Sequence, residues 1–174
     1  PYTTLFRSYR EVGQEYLQNV LDTAKQLDAY DSGRIYYYLG EYQKAYLALD
    51  EARDKGGADS YLYLGRAYAA TGDYNYASSV YNNYLSKQGP NAEIYNELGL
   101  CEMAKKEYQN ALAAFQAGKQ IEGNSLMQTL CFNEIVAYEY LEDYQQAEVL
   151  MNAYLQNYPD DQTAIREQQF LSTR

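Results

Sequence analysis

The side chains that could do chemistry in this chain are carboxylates, two thiols and a few arginines. Acidic pairs stand at Glu41/Glu51, Glu142/Asp143 and Asp160/Asp161. Two carboxylates held close can share general acid and base work, but only in a protected cleft that drives their pKa values apart. These pairs sit in turn-like or polar stretches, where solvated surface is the expected role. Asp160 and Asp161 follow Pro159 and read as helix caps. Histidine is absent, which removes the commonest general base and metal ligand. Cys101 and Cys131 are the only thiols. Two cysteines without histidine make no zinc site. They fall in the first helices of adjacent helix pairs, at different heights that place them too far apart for a disulfide, so both read as small buried apolar side chains. No phosphate loop, nucleophile elbow or HExxH segment occurs. The sequence gives no sign of an enzyme and implies no cofactor and no metal.

The elements that would have to position any site are announced by a repeated pattern. The segment Tyr61–Ala77, YLYLGRAYAATGDYNYA, reads as a helix, a tight turn at Thr71-Gly72-Asp73 and the start of a second helix. Its turn recurs as GEYQKA, GDYNYA, KEYQNA and EDYQQA. Each places a tyrosine three residues before an alanine: Tyr42/Ala45, Tyr74/Ala77, Tyr108/Ala111 and Tyr144/Ala147. The alanines are spaced by 32, 34 and 36 residues, a period that marks a repeat array. Each unit holds two amphipathic segments of about three turns, too short to be stable alone, so units must stack on neighbours. The tyrosine lays its ring across the partner helix, and the alanine on the same face lets the helices approach. Gly40 and Gly72 permit the positive φ of a tight turn. Lys106 and Glu142 take that place in the later units, so those turns are expected to differ or to carry strain.

This pattern resembles the tetratricopeptide repeat. Tyr61, Leu64-Gly65, Tyr68, Gly72, Tyr74, Ala77 and Tyr81 carry the fullest likeness. The first unit matches at Gly33, Tyr36, Gly40, Tyr42, Ala45 and Ala52. The third matches at Tyr95, Leu98-Gly99, Tyr108, Ala111 and Phe115, with Glu102 where the family has tyrosine. The fourth matches at Tyr138, Tyr144, Ala147 and Pro159, with Ile135 at the small-residue position. The resemblance implies an all-α fold, a right-handed α-solenoid of antiparallel helix pairs. Four repeats are expected at about 28–57, 58–91, 92–125 and 126–161, in a single domain. A polar helix over 162–174 would close the array.

Residues 9–27 read as the capping remnant of an upstream repeat, with Gly13 as its turn. Pro1–Ser8, PYTTLFRS, match the in-frame translation of a common sequencing-adapter oligonucleotide and are expected to be non-native. On that reading the natural N-terminus is missing and the compartment, cytoplasmic or lipid-anchored and extracytoplasmic, stays open. A cut at a repeat boundary would expose an apolar face and favour self-association.

The formal charge is −10. An acidic chain without a basic tract repels nucleic-acid phosphates and anionic membranes, and no apolar run is long enough to span a bilayer. The resemblance implies instead a protein or peptide partner, held on the face formed by the first helix of each unit. By register the residues facing it are Arg34, Arg66, Leu100 and Val136. One turn away lie Tyr30, Tyr37, Leu62, Ala69, Asn96, Met103, Phe132 and Glu139. Arg34 and Arg66 would form a basic step suited to a carboxylate, beside an apolar shelf of Leu100, Met103 and Phe132. The competing reading pairs the arginines with Asp31 and Glu97 and packs the apolar residues inside the array. The family's carboxylate clamp is matched only faintly, at Asn96 and Asn133, so chaperone-tail binding is not implied. The function expected is a non-enzymatic interaction scaffold. The alternatives are a peptide-sensing module of a larger protein and the repeat region of an envelope lipoprotein.

Overall fold

The computed structural model describes the backbone of residues 2–24 and 26–174, and the side chains of 11–24 and 26–174. Among these residues there are ten helices and no strand, an all-α fold of the helical-repeat solenoid class. In chain order they are α1 (Tyr2–Thr23), α2 (Ala29–Leu39), α3 (Tyr42–Asp54), α4 (Ser60–Ala70), α5 (Tyr74–Gln88), α6 (Ala92–Ala104), α7 (Tyr108–Lys119), α8 (Met127–Tyr140), α9 (Tyr144–Asn157) and α10 (Gln162–Leu171). Pro1, part of the segment read as non-native, lies outside the described residues. Gly13 is not a turn: α1 runs through it without a break. A lone glycine costs a helix only about 1 kcal/mol, too little to end one flanked by good helix formers.

The chain divides into two compact units, Pro1–Val80 and Tyr81–Arg174, with the boundary within α5. Contacts between stacked repeats are made only with sequence neighbours, so such a chain has no one central core. In the first unit α1 packs on α2, α2 on α3 and α4, and α3 on α4. In the second, α6 packs on α7, α7 on α8, α8 on α9 and α9 on α10.

The turn alanines Ala45, Ala77, Ala111 and Ala147 are all completely buried, while Tyr42, Tyr74, Tyr108 and Tyr144 are half-buried. Each turn is closed by the same backbone bond. The N–H groups of Glu41, Asp73, Glu107 and Asp143 donate to the carbonyls of Tyr36, Tyr68, Glu102 and Tyr138, at 2.9, 3.0, 2.9 and 3.0 Å. Such closure needs a left-handed residue just before the donor. Gly40 and Gly72 supply it at φ 79° and 86°, and Lys106 and Glu142 at 64° and 60°. The later turns therefore keep the geometry and carry the strain. Replacing Lys106 by glycine is expected to stabilise the chain by about 0.5–1 kcal/mol, the left-handed penalty less glycine's larger unfolded-state entropy. A thermal melt checks the sign.

Close packing inside each helix pair follows from residue size. A Cβ at Gly33 would lie 2.5 Å from Leu49 Cγ, and one at Gly99 2.3 Å from Phe115 Cε1. Where the fourth pair carries Ile135, the residue in the place of Leu49 and Phe115 is Met151, and Ile135 and Met151 share one buried cluster. An unbranched methionine adapts to the bulk of isoleucine.

Caps refine the helix starts. Asp28 caps α2 through a 2.7 Å bond from the Asp31 N–H. Asn91 caps α6 and Asp161 caps α10. α8 begins only at Met127, because Asn124 spends its side chain on the preceding loop. Its amide N–H donates to the Ile121 carbonyl at 2.6 Å and its oxygen accepts from the Leu126 N–H at 3.1 Å.

Candidate functional site

In the first unit α2 and α4 lie side by side, which brings Arg34 and Arg66 against one aromatic ring. The guanidinium carbons lie 5.1 and 5.6 Å from the centroid of Tyr63. Arg34 also stands 5.2 Å from the Tyr30 ring. Contacts of this kind contribute about 0.5–1 kcal/mol each at exposed sites. The tyrosines hold one another: Tyr63 meets Tyr30, Tyr37 and Tyr38 edge-on with centroids 6.1, 5.8 and 5.9 Å apart, and the hydroxyls of Tyr38 and Tyr63 are 3.2 Å apart. That hydrogen bond, with burial, raises the Tyr38 phenol above its ordinary range, and burial raises that of Tyr30. Both stay neutral and able to donate at physiological pH.

Arg34 has one acidic neighbour of the kind the competing reading required, Asp31, at 3.6 Å. Both side chains are well exposed, where such a pair contributes little. The Nε of Arg34 is buried without a hydrogen-bond partner. Tyr63 is the residue that register reading passed over. It stands beside Leu62, which is half-buried, and three residues before Arg66, so its ring shares a helix face with that guanidinium. Ala69 is also half-buried on α4.

The remaining residues placed by register belong to the second unit. Asn96 is buried, and its oxygen accepts from the Asn133 amide at 2.9 Å, which ties α6 to α8. Met103 packs against the cluster around Phe115 and Leu130, and Phe132 against that around Met151, with an edge contact to Tyr154 at 5.7 Å. Leu100 alone of the expected shelf is well exposed, at 44 %, and Val136 is half-buried. The shelf is thus largely spent on packing, since the flanks of a first helix touch both its own partner and the next pair. Phe132 keeps one edge in an open cavity of about 290 Å³ that it shares with Asn133, Gln128, Tyr154 and Asp161. There Tyr154 donates to Asp161 at 2.6 Å and Gln128 donates to Tyr154 at 3.1 Å. Burial and the Asp161 bond push the Tyr154 phenol up to about 12.

The thiols are free. Burial pushes Cys101 up to about 12 and also raises Cys131, against the pull of Lys119; both are thiols at neutral pH and poor nucleophiles. Among the described residues no group of three or more acidic or cysteine side chains could hold a metal ion, and no helix is long and apolar enough to cross a membrane.

The fold has counterparts among solved structures. The crystal structure of MamA superposes with a TM-score of 0.72 at 19% identity, covering 82% of this chain and 78% of that one. The Cut9–Hcn1 hetero-tetramer of the APC/C contains a chain that matches 97% of this one over 34% of its own length, with a TM-score of 0.68 at 19% identity. The second TPR domain of human RPAP3, solved in complex with an HSP70 peptide, matches 63% of this chain over 90% of its own, with a TM-score of 0.56 at 16% identity. No curated protein sequence matches. The sequence profile of the tetratricopeptide repeat matches residues 30–75 and 64–124, together more than half of the chain and spanning the first three of the turns described above. By that match, and by helix pairs closed with one recurring turn, the chain belongs to the tetratricopeptide repeat family.

Proposed function

We propose that the chain is a non-catalytic scaffold that binds a protein or peptide segment, and that Arg34 and Arg66 contact an acidic side chain or free C-terminus of that segment. The observation that carries this reading is the pair of guanidiniums on one tyrosine ring, in a chain of net charge −10. Arginine held against aromatic rings is oriented in advance, so fewer rotamers are lost when its fork captures a carboxylate. The neutral hydroxyls of Tyr30 and Tyr38 add donors nearby. A mixed aromatic and arginine surface is also the composition of interface hot spots. The membership of the RPAP3 domain in the same family, with its bound peptide, supports a peptide as the partner class.

The test is a library of peptides with free C-termini, panned on the full chain. Acidic or free-carboxylate sequences are expected to be selected. The Arg34→Ala/Arg66→Ala double variant is expected to bind them at least about tenfold more weakly, about 1.4 kcal/mol, with its helical circular dichroism at room temperature retained. Equal affinity in the variant would remove the two arginines from the site.

A further inference from the structure

The second unit holds a cavity of the opposite character. It measures about 420 Å³ and is lined by Glu139 and Tyr140 of α8, Glu142 of the following turn, Tyr144 of α9, and Glu167 and Phe170 of α10. Three carboxylates and three aromatic rings face it, and no basic side chain is among the lining residues. One carboxylate oxygen of Glu139 is buried and has no hydrogen-bond partner. Burial, reinforced by the neighbouring charge of Glu167, pushes the Glu139 carboxyl up to about 7. An acidic lining of this kind concentrates positive charge, and ring faces attract cations.

A second observation names the kind of cation. The guanidinium carbon of Arg174 lies 4.4 Å from the Phe170 centroid and 5.6 Å from that of Tyr144. The latter contact spans α9 and the residues after α10. A guanidinium therefore already rests on the aromatic wall. A metal ion is a poor fit, because no three acidic groups converge closely enough among the described residues. An ammonium would satisfy the charge but not the flat stacking that a guanidinium makes on a ring.

We propose that this cavity is a recognition site for an arginine side chain of a partner protein, with Arg174 resting on its aromatic wall in the free chain and competing for it. The site shares no residue with the Arg34 patch, so either can fail without the other. An incoming guanidinium pairs with the half-buried Glu139 side chain and favours the ionised carboxylate. The other charged or titratable groups around Glu139 are Tyr140 on its own helix, Glu142, Tyr144, Glu167 and Arg174. Because the Glu139 carboxyl is raised, it is largely protonated below its pKa and ionised above it. Affinity for a cation must therefore rise as pH rises through about 7.

The experiment titrates the full chain with acetyl-Gly-Arg-Gly-amide and follows backbone amide shifts by NMR. Saturable shifts are expected at residues 139–144 and 167–171. The lysine peptide should bind more weakly and the glutamine peptide not at all. Affinity should rise by up to about tenfold between about pH 6 and about pH 8, the ratio of ionised fractions for one group with a pKa near 7. Glu139→Gln, which keeps size and fold, should abolish that pH dependence. Arg174→Ala should tighten binding several-fold by removing the internal competitor. Shifts that do not saturate, that spread over the chain or that the glutamine peptide reproduces would overturn the site. An unchanged affinity in Arg174→Ala would overturn the competition.

Discussion

Replacing Phe115 by alanine is expected to destabilise the second unit by about 3–5 kcal/mol, read as a lower urea midpoint at unchanged slope. Phe115 is completely buried and belongs to the cluster with Leu112, Leu130 and Ala137. Its ring lies against the backbone of Gly99, so closely that a single methyl there would stand 2.3 Å from it. The void left by the ring is bounded on that side by helix backbone, which cannot collapse to fill it. The coupling with Gly99 sharpens the test. Gly99→Ala alone should be costly, because the ring must shift. In the Phe115→Ala background the same methyl enters the vacated space and should be neutral or stabilising. A cycle with additive effects would contradict this packing.

Replacing Lys119 by methionine is expected to cost about 2–4 kcal/mol, although lysine to methionine is a small change in shape. The reason is Glu134, which is only 5% exposed. Its carboxylate accepts from the Gln116 amide at 2.9 Å and pairs with the Lys119 ammonium. Burial alone would lower the Lys119 pKa, but the hydrogen bond and charge of Glu134 outweigh it and leave the ammonium above its ordinary range. Removing the lysine strands a buried charge, the expensive half of a broken pair. The partly exposed lysine and the surviving Gln116 bond hold the cost toward the lower end of what such breaks reach. Lys119→Met/Glu134→Leu should recover most of the loss, because two apolar side chains need no compensation. A double variant as unstable as the single one would show that the carboxylate is held by something other than this pair.

The turns were legible because their chemistry is local. A tyrosine and an alanine three residues apart identify the start of a second helix wherever they recur, and Gly40 and Gly72 announce their own backbone conformation. Lys106 and Glu142 hide the same conformation, since a penalty of about 1–2 kcal/mol is absorbed by the packing on either side and leaves no mark on residue type. The Arg34 and Arg66 pairing was readable by register. Tyr63 was not, because choosing between neighbours on a helix flank depends on how far the next helix rotates. The Lys119–Glu134 pair and the cavity at Glu139 were illegible for a further reason. Each joins residues on different helices, with no fixed spacing to advertise them. The start of α2 is crowded by three residues able to cap it, Asp28, Asp31 and Ser32, and only the fold selects Asp28.

Tyr46 and Tyr68 stack with centroids 4.1 Å apart and planes within 2° of parallel. The Tyr46 hydroxyl lies 2.7 Å from the Thr71 hydroxyl. Tyr76 leans on the other phenol at 4.2 Å, and burial pushes Tyr68 up to about 12. The chain has no tryptophan to mask phenol absorption. Two phenols this close and this nearly parallel share their electronic excitation, and they do so only while α3 and α4 remain docked. The stack is therefore a built-in optical gauge. Its near-ultraviolet dichroism reports the melting of the first unit without any label, and the raised pKa of Tyr68 keeps that ring a neutral phenol through ordinary buffer conditions.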